Sequence, residues 1–241
     1  MVTFGVTNAD DVLYARAQQA PVVALMAPYQ INPRCIMVHK SSGIEEIADI
    51  ANITLAMSQR PAFSHYLRWR YPFENVKIVP YPGNVTQFLM DENFAQQGYV
   101  FSEPFVAKSK GGDPKALLVS DIGFNPYASV LIATEETIAT DRRLVEAVVR
   151  ASIKGWQQYL ADPEATNRHI NSLNPEMALD ILAYGAVESR ALVLDPVAQK
   201  AGIGHMSAAR WLDLLDQMVA AALIDEGTVD ANAAFTDHFL P

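Results

Sequence analysis

The chain has 241 residues, half of them apolar, and a formal net charge of −9. That size and apolar fraction suit one large or two small globular domains, and scattered single cations on an acidic chain speak against a nucleic-acid surface, which needs clustered Lys and Arg for phosphate contacts. Cys35 is the single cysteine, so an internal disulfide, a cysteine zinc site and a redox pair are all ruled out; a small buried hydrophobe is the expected role.

Residues 4–6 read as the end of an apolar strand, Thr7 or Asn8 as a helix cap, and Asp10 with Asp11 as the acidic first turn of a helix running to about Gln18. A strand feeding a helix at once belongs inside an α/β sheet, and such a strand seldom opens a domain. Residues 21–39 form two β-rich runs broken by PYQINP, whose prolines extend the residues before them. Residues 41–50 suggest a short capped helix, 53–57 a buried strand, and 61–71 a helix with Pro in its first turn. The alternation continues with a strand at 76–80, a helix at 85–94, a short strand at 99–101, a helix at 103–110 and a strand at 116–119. This pattern predicts an α/β fold with a largely parallel sheet.

After Asp121, GFNPY is a turn cluster and residues 128–133 a β-branched strand. The remainder is helical: 141–160 carries an apolar stripe, Asp162-Pro163-Glu164 and Asn174-Pro175-Glu176 are helix starts, and Ser207 begins a helix with Trp211, Leu214, Leu215 and Met218 on one face. Trp156 and Trp211 are expected in the core. Extended crossings near 28–33 and 125–130 divide the chain into a first lobe, residues 1–28 and 130–241, and a second α/β lobe, 29–129. Two lobes joined by paired crossings is the plan of a hinged ligand-binding protein. Residues 1–20 lack the basic and apolar regions of a signal peptide, and no apolar run reaches the roughly 20 residues of a membrane helix.

The segments GYVFSEPFVAKSKGG, DIGFNPYASVLIATEETI, KGWQQYLADPE and GHMSAARW, with the opening FGVTNADDVL, resemble the substrate-binding proteins that capture the thiamine pyrimidine precursor. These form a branch of the nitrate, sulfonate and taurine class serving ABC importers. The resemblance covers nearly the whole chain. It implies a two-lobed fold of the type II periplasmic-binding-protein kind, a small heterocyclic ligand held in the interlobe cleft, a membrane permease as partner, an extracytoplasmic location and no cofactor. Formylaminopyrimidine, hydroxymethylpyrimidine, riboflavin and small sulfonates are all within the class. Relatives carry a strand, a helix and a second strand ahead of the position of Phe4; here that segment is absent, which leaves the first lobe incomplete. A fragment, an internal start or a shortened chain that repairs its sheet as a homodimer would each account for it.

Candidate ligand contacts follow from these placements. Asn8 and Asp10 lie past a strand's carboxyl end, either as contacts or as helix caps. Tyr29 and Gln30 on the first crossing, and Tyr127 on the second, offer aromatic faces and an amide, or serve as hinge packing. Ser58 and Gln59, just before Arg60 and Pro61, stand at a helix N-terminus with free backbone N–H groups. Asn84 starts another helix as cap or contact. Glu103, in FSEPF, could accept hydrogen bonds from an amino-pyrimidine, and is expected to face Asn8 across the cleft. The five histidines lack metal spacing, and no nucleophile elbow or P-loop occurs. The chain is therefore read as a binding protein and not an enzyme. The alternatives are a shortened dimeric sensing or interaction protein and, further off, a pyrimidine-synthesis enzyme like the fungal proteins that share the fold.

Overall fold

The computed structural model describes residues 3–241; Met1 and Val2, with which the expected first lobe begins, lie outside the described residues. In chain order the elements are β1 (Phe4–Thr7), α1 (Ala9–Ala17), β2 (Val22–Met26), β3 (Arg34–His39), β4 (Thr54–Ala56), α2 (Ala62–Arg70), β5 (Lys77–Val79), α3 (Thr86–Met90), β6 (Phe94–Tyr99), α4 (Glu103–Ser109), β7 (Pro114–Leu118), β8 (Val130–Thr134), α5 (Glu135–Thr140), α6 (Arg142–Ala161), α7 (Glu164–Leu173), α8 (Leu179–Val193), α9 (Pro196–Ala201) and α10 (Ala208–Ala220). The protein is mixed α/β.

The chain divides into two compact units. The first comprises Met1–Asn32, Asn125–Pro163 and Ser189–Pro241, and the second Pro33–Phe124 with Glu164–Glu188. The division falls within α8, and α7 belongs to the second unit, whereas the sequence reading assigned 130–241 as a whole to the first lobe.

In the first unit a three-stranded sheet runs β1-β8-β2, with β8 antiparallel to both neighbours. The crossings dictate this direction: β2 leads the chain out and β8 brings it back, and Tyr29 pairs antiparallel with Ala128 beside them. Ser129, next to that bridge, sits in the left-handed region at φ 55°. The helix starts read at Asp141 and Ser207 are capped, Asp141 Oδ1 accepting from Leu144 N at 3.2 Å and Ser207 Oγ from Arg210 N at 3.4 Å; Asp195, which the sequence reading did not single out, caps α9 through Oδ1, accepting from Ala198 N at 2.7 Å. Buried Val145, Val149, Ile153 and Leu160 give α6 its apolar stripe. Trp211 is fully buried and stacks on Phe235 at 5.6 Å, while Trp156 is half-buried and meets Tyr29 edge-on at 5.4 Å.

The second unit is built on a five-stranded sheet ordered β5-β4-β6-β3-β7. The pairs β4–β5 and β4–β6 are parallel, and β3 runs antiparallel to both β6 and β7, so β7 points the same way as β4, β5 and β6. The expected largely parallel sheet is qualified by one strand in this unit: the chain enters through β3, which runs against the βαβ core, and leaves through β7, which runs with it. Four element assignments are corrected as well. Residues 41–50 form two single 3-10 turns, Lys40–Ser42 and Ile47–Asp49, in place of a helix. The helix read over 85–94 stops at Met90, and the strand read at 99–101 is the six-residue β6. Its sequence FAQQGY carries two amides and a glycine, which mask strand propensity even though five of its six residues are buried. The C-terminal start at Asn174 is a turn, and α8 begins at Leu179. Met37, Ala56, Val85, Phe88, Phe94 and Ala107 pack as a core on one face of this sheet.

Candidate functional site

Parallel strands deliver whatever follows them to one edge of a sheet, the usual place for ligands in α/β folds. Here β4, β5 and β6 end at Ala56, Val79 and Tyr99, and they are followed by Ser58, Tyr81 and Glu103. Arg34 joins them because β3 is antiparallel and pairs Arg34 with Tyr99.

Glu103 is the centre of the arrangement. It lies in the first turn of α4, ahead of Pro104, half-buried. Its Oε1 accepts from the Tyr81 hydroxyl at 2.7 Å and its Oε2 from the Tyr99 amide at 2.8 Å. The chain affords room for it through Gly98: a Cβ there would meet Glu103 Cβ at 3.0 Å and Oε2 at 3.2 Å. Burial and then the Glu103 carboxylate push the Tyr81 hydroxyl well above the usual tyrosine range, so it stays a donor. On the opposite sheet face Arg34 donates from Nη2 to the Tyr99 hydroxyl at 2.7 Å, and its guanidinium lies 4.3 Å from the Phe63 ring centre and 4.8 Å from that of Tyr99. Phe101 stacks parallel on Tyr99 at 5.4 Å.

Ser58 stands at the same edge, its amide donating 2.7 Å to Gln97 Oε1, while its carbonyl accepts from the buried Ser64 hydroxyl at 2.5 Å. Gln59 is exposed, and its carbonyl accepts from Arg68 Nη2 at 3.3 Å. Asn84 is exposed in a local turn, its Oδ1 accepting from Thr86 N at 3.0 Å. At this edge of the sheet the carboxylate stands on one face and the guanidinium with the aromatic rings on the other, groups of the kinds that bind planar polar ligands.

The first unit holds the other five sequence-predicted residues. Asn8 occupies the α1 cap position, and its backbone N–H donates to Asp11 Oδ2 at 3.3 Å; Asp10 is buried in the first turn. Tyr29 is buried, its hydroxyl 2.9 Å from Ser189 Oγ, and burial raises its pKa. Gln30 is buried, with Nε2 donating to the carbonyls of Ala27 at 3.0 Å and His205 at 2.9 Å. The hydroxyl of buried Tyr127 accepts from Ser207 N at 3.1 Å, and its ring faces the Arg210 guanidinium at 3.8 Å.

Sequence reasoning passed over Arg34, Tyr81, Gln97 and Tyr99. A signal was there: Arg34 breaks an apolar stretch, and Tyr81 follows a strand directly. The Gln96-Gln97 pair was hidden by the misplacement of β6. Cys35, beside this cluster, is fully buried, and burial together with Glu103 raises its thiol far above the ordinary value, so no thiolate nucleophile forms there. Among the described residues no group of three His, Cys, Asp or Glu side chains is placed to hold a metal ion, and no helix is long and apolar enough to cross a membrane.

The family model described as NMT1/THI5 like matches residues 1–166. This chain belongs to the NMT1/THI5-like family. Among curated proteins, this family member is similar to the riboflavin-binding protein RibY of Chloroflexus aurantiacus, 26% identical over 250 residues that cover 100% of this chain and 71% of the relative. Among solved structures it is similar to the periplasmic aliphatic sulphonate binding protein SsuA from Escherichia coli, with a TM-score of 0.72 at 14% identity over 98% of this chain and 76% of the other. The desulfurization enzyme DSZB gives a TM-score of 0.62 at 13% identity, covering 98% and 83%. This NMT1/THI5-like chain thus has the fold of periplasmic binding proteins, a fold that also carries an enzyme.

Proposed function

We propose that the protein is the substrate-binding component of an ABC importer, capturing a small heterocyclic nutrient outside the cytoplasm and presenting it to a membrane permease. The observation that carries this reading is the Glu103 cluster. A carboxylate held by the Tyr81 hydroxyl and the Tyr99 amide retains lone pairs that suit a ring edge bearing N–H groups, and the aromatic faces of Tyr99 and Phe101 suit its plane. Pyrimidines of the thiamine-precursor kind and flavins both have such edges, and RibY is named for a flavin. Ser58, Gln59 and Asn84 complete the proposed contacts in this unit, and Asn8 and Asp10 stand as proposed contacts within the first. Tyr29, Gln30 and Tyr127 act by holding the crossings on which ligand binding depends. Binding alone is proposed, with no cofactor and no covalent step.

Self-association through the outer edge of β1 belongs to the same reading. That strand stands at the end of its sheet and exposes Val6. Light scattering at micromolar concentration is expected to give a dimer, and a monomer removes this part.

The decisive experiment is a thermal-shift screen against pyrimidine precursors, riboflavin, taurine and alkyl sulfonates, since a ligand of the native state raises the melting temperature. One heterocycle is expected to stabilise the protein, and Glu103→Gln, which keeps the shape and removes the charge, to weaken its binding about tenfold or more. A shift from sulfonates alone would sink the heterocycle assignment, and equal affinity in Glu103→Gln would remove Glu103 from the site.

A further inference from the structure

The first unit holds a groove of about 600 Å³ between one flank of α6 and the segment 238–241. Its floor is apolar, made by buried Ile153 with Phe239, Leu240 and Pro241. Arg150 and Lys154 stand on its rim, both exposed, four residues apart on the same face of α6. None of the ion pairs among the described residues uses either cation. Glu146, one turn before Arg150, binds Arg142 instead, Nε to Oε1 at 3.0 Å, and Arg142 lies over the Phe239 ring at 4.9 Å. The Arg142–Glu146 pair therefore ties the helix to the apolar segment, and Glu146, itself a lining residue of the groove, is engaged by Arg142 and not by Arg150.

Two like charges at i and i+4 on a helix repel. They do so here on a chain whose net charge is −9, where a carboxylate partner would be easy to supply. The arrangement is relieved by an anion placed between them. The floor adds the second half of the recognition: apolar area beside unpaired cations favours a molecule with an anionic head and an apolar body.

We propose that this groove is a binding site for a free amphipathic oxyanion, its phosphate, sulfonate or carboxylate head between Arg150 and Lys154 and its apolar body against Ile153, Phe239 and Leu240. The site lies wholly in the first unit and is independent of the heterocycle reading, so either can fail without the other.

Isothermal titration of the full chain with octyl phosphate below its micelle concentration tests it. The expected result is a single site, weakened about tenfold or more in Arg150→Ala/Lys154→Ala and by the rise from about 50 to 500 mM salt. The charge-conserving exchange Arg150→Lys/Lys154→Arg is expected to retain binding within about threefold. Both pairs are exposed, and unchanged melting curves are expected to show that the variants fold. Equal binding of octyl glucoside would reduce the groove to an apolar patch, and undiminished affinity in the alanine pair would overturn the assignment. Capture by phosphatidylglycerol vesicles without any binding of monomeric octyl phosphate would overturn it in favour of a membrane surface.

Discussion

Gln96 lies in the middle of β6, wholly buried, and neither its Oε1 nor its Nε2 has a hydrogen-bond partner. Its cross-strand neighbours Met37 and Ala56 belong to the apolar core. A carboxamide without partners in such a place costs about 1–3 kcal/mol relative to an apolar group of the same shape. Gln96→Met is therefore expected to stabilise the protein, raising the melting temperature by about 2–4 °C for each kcal/mol recovered in a chain of this length. A fall in melting temperature would show that the amide has a partner, such as an ordered water. Its neighbour Gln97 points to the other face and accepts from Ser58 N. Two adjacent glutamines with the same letter thus have opposite roles. Their types were legible in the sequence, but the one-residue difference in facing was not, because it depends on the register of β6 against β3 and β4.

At the scale of elements, the joint between β6 and α4 depends on a missing side chain. Gly98 leaves the space that Glu103 fills, so Gly98→Ala forces the carboxylate or the strand to shift. The expected cost is about 1–3 kcal/mol of stability, with parallel loss of heterocycle binding; unchanged unfolding in denaturant would show that the strand adjusts freely. The joint between β3 and β7 depends on charge. His39 at the end of β3 places Nδ1 2.5 Å from Asp113 Oδ1 and Nε2 2.9 Å from the Phe88 carbonyl, with its ring stacked on Phe88 at 3.9 Å. The hydrogen bond to His39, aided by the Ser41 amide, holds the Asp113 carboxyl below its ordinary value. A carboxyl whose folded pKa is depressed stabilises the fold above its unfolded value of about 4, and this contribution disappears as pH falls through the lower folded value. Asp113→Asn is accordingly expected to flatten the acid limb of melting temperature against pH below about 4. An acid limb identical to that of the parent chain would place the dependence on other carboxylates.

For the molecule as a whole, charge governs what it leaves alone. A net charge of −9 with its cations dispersed repels a polyanion, so no retardation of duplex DNA is expected in a gel-shift titration at about 50 mM salt. Retardation that fades with added salt would reveal a clustered basic face. Arg150 and Lys154 are too few to make one, since each phosphate contact adds a limited increment and tight binding sums many.

Composition, turn chemistry and periodicity by themselves determined the α/β class, the caps at Asp141 and Ser207, the α6 stripe, the core position of Trp211 and Glu103 as a residue of interest. These are local properties, set by neighbours within a few residues along the chain. Strand direction, the true extent of β6 and the grouping of Arg34, Tyr81, Tyr99 and Glu103 were decided only by the tertiary structure. They join residues 34, 81 and 103 through sheet pairing and a glycine-sized gap, and a hydrogen-bonded register between distant segments leaves no periodic trace in either segment alone.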